Sequence, residues 1–183
     1  LATALVVAAF LGCESRPEAP PEPPSGTSAP SVSAAPAQPA QAALDAMDKR
    51  TPVPLLPMMA NHQKQNMRDH LVAVQEIVSA LATRDFAAVE RAAGRIGYSE
   101  QMGRMCTHMG AGAPGFTAQA LNFHHTADKI GGAAKKQDAD AVLKALGETL
   151  ATCTTCHTAF KQQVVDDATW TAATKMSPPS SPH

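Results

Sequence analysis

The densest chemistry in the sequence lies near its C-terminal end, in Cys153-Thr154-Thr155-Cys156-His157. Two thiols three positions apart share one face of a helix, and the imidazole that follows can approach the same side. Three chemistries use such a pair. A dithiol redox centre sits at the start of a helix after a strand, and no strand pattern precedes Thr152. A structural zinc site needs a second ligand pair, and none is spaced for it. In the third, the thiols form thioethers to two vinyl groups on one edge of a haem and His157 reaches the iron from one face. Only there does every residue of the motif have a task, so a single covalent haem c is expected at Cys153, Cys156 and His157.

Other soft or ionisable groups carry weaker signals. Met102, Met105, Cys106, His108 and Met109 gather thioether, thiol and imidazole groups that could bind copper(I). The same methionines recur at steps of three and four, as a packed helical face would, and packing is the favoured reading. Cys106 is then a buried free thiol. His124 and His125 are adjacent and point different ways, so at most one faces the core. There is no convincing Ser/His/Asp arrangement or paired-carboxylate site, and Gly110, Gly112 and Gly115 lack the strand and the Lys-Ser/Thr of a phosphate loop. No enzymatic activity is expected.

The elements that must hold the motif follow from periodicity. Met67, Leu71, Val74, Val78 and Leu81 alternate by four and three, which predicts an inward helical seam. A second stretch is predicted from Asp85 as N-cap through Phe86, Val89, Ala93 and Ile96, continuing to Met109 with a kink or break near Gly97. A loop follows from Gly110 to Gly115, containing Pro114. The third helix should open with Thr117 as N-cap and bury Ala120, Phe123, Ala127, Ile130 and Ala134. In the fourth, Leu143, Leu146, Leu150, Cys153, His157, Phe160 and Val164 form the inward face, ending between Val165 and Trp170. Short connections favour antiparallel neighbours, hence an all-α, up-down-up-down four-helix bundle.

Composition bounds the rest. Lys plus Arg number 15 against 16 Asp plus Glu, so no basic face for nucleic acid is expected. Aromatics make up only 4 % of residues, and a large flat cofactor would supply the missing core bulk. Residues 1–12 read as a signal-peptide remnant whose Leu11-Gly12-Cys13 end resembles a lipobox, making Cys13 the lipidation site. The apolar run falls short of the roughly 18 to 20 residues of a membrane span. Residues 13–57, rich in Pro, Ala, Ser, Glu and Gln, read as a disordered tether, 58–170 as the folded domain and 171–183 as a disordered tail.

With four helical stretches closed by Cys156-His157-Thr158-Ala159-Phe160-Lys161, residues 58–167 resemble the class II cytochromes c, the cytochrome c′ family. The resemblance rests almost entirely on the last helix, and Met105 to Phe116 lie outside the family pattern. It implies one haem c, with Phe160 and Lys161 as the aromatic and basic residues that follow the motif. Five-coordinate members of that family bind nitric oxide or carbon monoxide; six-coordinate members transfer electrons. The resemblance also implies a periplasmic or envelope location, redox partner proteins and, in many relatives, homodimers through the first two helices. The distal ligand is therefore the functional switch. In an antiparallel bundle the depth of His157 matches Met67, with Met59 and His62 as alternates and His70 near enough to matter if the helix rotates. The expected function is lipid-tethered electron transfer, with gas binding and a copper-binding module as the two alternatives.

Overall fold

A computed structural model describes residues 39–176. The signal remnant, the lipidation site Cys13, most of the expected tether and the end of the tail lie outside the described residues. The chain divides into two compact units, Leu1–Ala43 and Leu44–His183, and the second holds every element from the first strand onward. Its elements are α1 (Pro39–Met47), which begins in the first unit, then β1 (Thr51–Leu55), α2 (Pro57–Ala82), α3 (Phe86–Ile96), α4 (Glu100–Gly110), α5 (Phe116–Lys135), α6 (Ala139–Ala159), β2 (Phe160–Val164) and α7 (Asp167–Thr174).

The fold is mostly helical, as the periodicity predicts, with a two-stranded parallel sheet that it does not. β1 pairs with β2 from Thr51 opposite Phe160 to Leu55 opposite Val164. Defined structure thus begins before residue 58, inside the segment read as tether. Pro52 and Pro54 have no N–H, so only one edge of β1 can pair, and the sheet stops at two strands. Val53 and Leu55 turn inward and are fully buried.

Helix boundaries follow local chemistry. Pro57 opens α2 in the first turn, where its missing N–H costs nothing. Asp85 caps α3 by accepting from the Ala88 N–H at 2.9 Å, Asp138 caps α6 through Ala141 at 2.9 Å, and Asp166 caps α7 through Thr169 at 2.8 Å. The expected break falls at Gly97, where the backbone turns extended and Ser99 caps α4 through Met102 at 3.1 Å. A side chain at Gly97 would collide with the Asp128 carboxylate, which accepts from the Tyr98 N–H at 3.1 Å. Thr117 is not the cap of α5. Gly115 holds that place at φ +85°, a left-handed conformation glycine adopts without strain, and the Thr117 hydroxyl instead donates to the Cys106 carbonyl.

Two apolar clusters form the core. The first joins α2, α3, α5 and α6 through Ile77, Val89, Ile96, Phe123, Ile130 and Val142. The second joins β1, the start of α2, α4, the start of α5 and α7 through Leu55, Met59, Met109, Phe116 and Trp170. α5 packs on α6 and α3, and α3 on α2.

The inward faces of α3 and α5 are the predicted ones, whereas those of α2 and α6 are rotated, with Val74, Leu81, Leu146 and Cys153 still packed on the core as expected. In α2 the buried or half-buried series is Gln63, Asn66, His70, Ala73, Ile77 and Ala80, while Leu71 is 69 % and Val78 52 % exposed. In α6 it is Val142, Leu146, Thr149, Cys153 and Cys156, while Leu143 is 60 % exposed. Alanines on the facing surfaces, among them Ala73, Ala92, Ala93, Ala127 and Ala145, let the helices approach closely. Burial here follows that close fit rather than the size of single apolar residues. The expected continuation of α6 to Val165 or beyond is also wrong, because the chain turns extended at Phe160 to pair with β1.

Candidate cofactor site

The Cys-x-x-Cys-His motif occupies the last two turns of α6. Cys153 packs against the first apolar cluster and Cys156 against the second. Between the clusters lies a cavity of about 560 Å³, within the range of small-molecule sites. Cys153, Cys156 and His157 all line it. α2 contributes Met67 and His70, α4 contributes Cys106 and Met109, and α5 contributes Phe116 and Phe123. Burial pushes the Cys153 and Cys156 thiols up, with the neighbouring Cys153 adding to the shift at Cys156.

The end of α6 is held from the N-terminal side of the domain. Arg50 Nη1 donates to the carbonyl oxygens of His157 at 3.1 Å and Phe160 at 3.4 Å, satisfying acceptors that a helix end leaves open. Asp48 grips the same guanidinium through Nε at 3.0 Å and Nη2 at 2.7 Å, and this pairing holds its carboxyl well below the usual carboxylate range. Lys161 Nζ donates to the Asp48 carbonyl at 2.8 Å. Phe160 meets Phe116 edge to face, with centroids 5.4 Å apart. Both residues line the cavity as well.

On the α2 side, His70 stacks on Phe123 at 4.7 Å and meets His124 edge-on at 5.4 Å. Burial depresses the His70 pKa to about 4, so the ring is neutral at pH 7. His124 is the buried member of the adjacent pair; its Nδ1–H donates to the Ile96 carbonyl at 2.8 Å, leaving Nε2 unprotonated in the neutral ring. Met67 also lines the cavity, 39 % exposed and outside both apolar clusters. Met59 and His62 do not line it. The depth argument that singled out Met67 assumed a longer α6, since His157 lies two residues from the observed end; Met67 nevertheless reaches the cavity wall.

Sequence reasoning missed Asp48 and Arg50 because they fall in the segment read as tether. The usable signal was Thr51-Pro52-Val53-Pro54-Leu55, where proline and apolar residues alternate with the period of a strand. The predicted sulfur and imidazole cluster does not converge on one point. Cys106 and Met109 face the cavity, His108 lies beside Trp170 at 5.4 Å, and Met105 meets His62.

These residues fit a haem. The two thiols sit on either side of the gap between the apolar clusters, the imidazole follows them, and aromatic and thioether side chains line the opposite walls. Arg50, Lys64, Arg68 and Lys161 give the cavity cationic groups suited to propionate carboxylates. Residues 111–161 match the family model described as Cytochrome C′, as a divergent member of that family would. The match spans α5, α6 and the motif and leaves α2 outside. That family binds haem c covalently, typically one per chain. No curated protein and no solved structure matches the chain.

Proposed function

We propose that this chain is a single-haem electron-transfer cytochrome, held to a membrane by a lipid on Cys13, with His157 and Met67 as axial ligands. The observation that carries the reading is that Met67, from α2, lines the same cavity as the Cys153, Cys156 and His157 motif of α6. A thioether opposite an imidazole favours the ferrous state and suits outer-sphere transfer, the chemistry the haem supplies when bound. Cys153 and Cys156 anchor it covalently, Arg50 fixes the backbone beside His157, and Phe116 and Phe123 exclude water from the walls. In this reading α2, the broken pair α3 and α4, α5 and α6 are the four members of an up-down-up-down bundle.

Proteins of the cytochrome c′ family are typically periplasmic, and no helix among the described residues is long and apolar enough to cross a membrane. An envelope location with redox proteins as partners, and association into a homodimer, complete the proposal. The visible spectrum of the oxidised protein tests its centre. A low-spin spectrum with a weak far-red band is expected from Met–iron ligation. A high-spin spectrum with ready carbon monoxide binding would replace electron transfer by reversible gas binding. A low-spin spectrum without the far-red band would transfer the sixth position to an imidazole, with His70 and His124 both on the cavity wall.

A further inference from the structure

Outside the haem cavity, α2 and α4 bring two other donors together. His62 Nε2 and Met105 Sδ lie 2.9 Å apart, and the Asn66 side-chain amide points at the same sulfur from 3.6 Å. His62 is exposed and Met105 half-buried, so the pair opens to solvent on one side. A thioether sulfur only accepts, so in the free protein His62 Nε2–H donates to Met105 Sδ, and a soft cation that displaces this proton meets a lone pair on each atom.

Thioether with imidazole is a soft donor set that selects copper(I) over hard divalent ions. Among the described residues no group of three or more His, Cys, Asp or Glu is placed to hold a metal, which argues against a zinc site here. Met58 stands four positions before His62, on the same helical face, and is 78 % exposed, so its thioether is free to turn toward the pair. Met59, by contrast, is committed to the second apolar cluster. We propose that His62 and Met105, with Met58 as third donor, bind one copper(I) ion at the surface between α2 and α4. Asn66 orients the Met105 sulfur without being a ligand.

This proposal does not depend on how the haem iron is ligated. It is tested on the haem-bearing protein, reduced and kept anaerobic so that copper(I) meets ferrous haem and no electron moves. Copper(I) is titrated in competition with bicinchoninate. One ion per chain is expected. Affinity should fall by about tenfold or more in His62→Ala and in Met105→Leu, and by less in Met58→Leu. It should be unchanged in Cys106→Ala and His108→Ala, which remove the other soft groups of α4. The Soret band of each variant reports whether the fold and haem are retained, and Met105→Leu conserves volume. Failure to compete with the chelator, unaltered affinity in His62→Ala, or loss of binding in Cys106→Ala would each overturn the site.

Discussion

The Arg50 guanidinium donates through Nη1 to the backbone carbonyl of His157 at 3.1 Å, tying the residue before β1 to the residue proposed to hold the iron. The link acts on backbone rather than on the imidazole, so it sets where the end of α6 lies and leaves the ring free to bind metal. Arg50→Gln should retain covalent haem, lose a little thermal stability and shift the reduction potential. An unchanged potential would show that the β1–β2 pairing alone positions His157.

Acid should loosen the same clamp through Asp48. Its carboxyl titrates below the usual 3.8 because Arg50 binds the charged form. The unfolded chain therefore takes up the proton first as pH falls. The stabilisation is complete above that ordinary value and lost as pH drops through the depressed one. Asp48→Asn should flatten the acid limb of a denaturation curve measured against pH, because the ion pair's contribution is already missing at pH 7 and is no longer there to be lost in acid.

Met67→Ala should convert the oxidised haem from low-spin to high-spin or water-bound, lower its potential and open it to carbon monoxide. Electron paramagnetic resonance reads the spin state directly. Retention of a low-spin signal would redirect attention to His70 and His124, the other imidazoles that line the cavity.

Cys153→Ala and Cys156→Ala should each leave one thioether and move the pyridine haemochrome band to longer wavelength. Two unaltered bands would contradict attachment at these cysteines.

Gly115→Ala tests the entry to α5. An added methyl would meet only Phe160, at an ordinary 3.8 Å, so the cost is that of forcing φ +85° on alanine, about 1–2 kcal/mol. Gly131→Ala, within α5 and with nothing near, should instead stabilise by about 0.5–1 kcal/mol. Chemical denaturation of both variants measures the contrast.

The attachment motif was readable because its three residues are adjacent and chemically unambiguous. The helices were readable because Asp85 announces the start of α3 and the Ala, Ile and Phe spacing of α5 is unbroken. What periodicity alone left open was rotation. The series Met67, Leu71, Val78 and the series Asn66, His70, Ala73, Ile77 obey the same rule of three and four. Choosing between them needed the alanine surfaces of α3 and α5, which no single segment displays. The sheet was hidden for a related reason: β1 is only five residues long, lies among prolines, and finds its partner at the far end of the domain. The His62 and Met105 contact likewise joins two helices and has no local signature.

That distant partner has a consequence for the order of folding. Helical contacts within α5 and α6, and between neighbours, close short loops and form early, whereas Thr51 must find Phe160 across almost the whole domain. The strand pair, and the Arg50 clamp beside it, are thus expected to assemble last. Until they do, the segment carrying Cys153, Cys156 and His157 is untethered at one end, which would leave that side of the cavity open to an incoming cofactor.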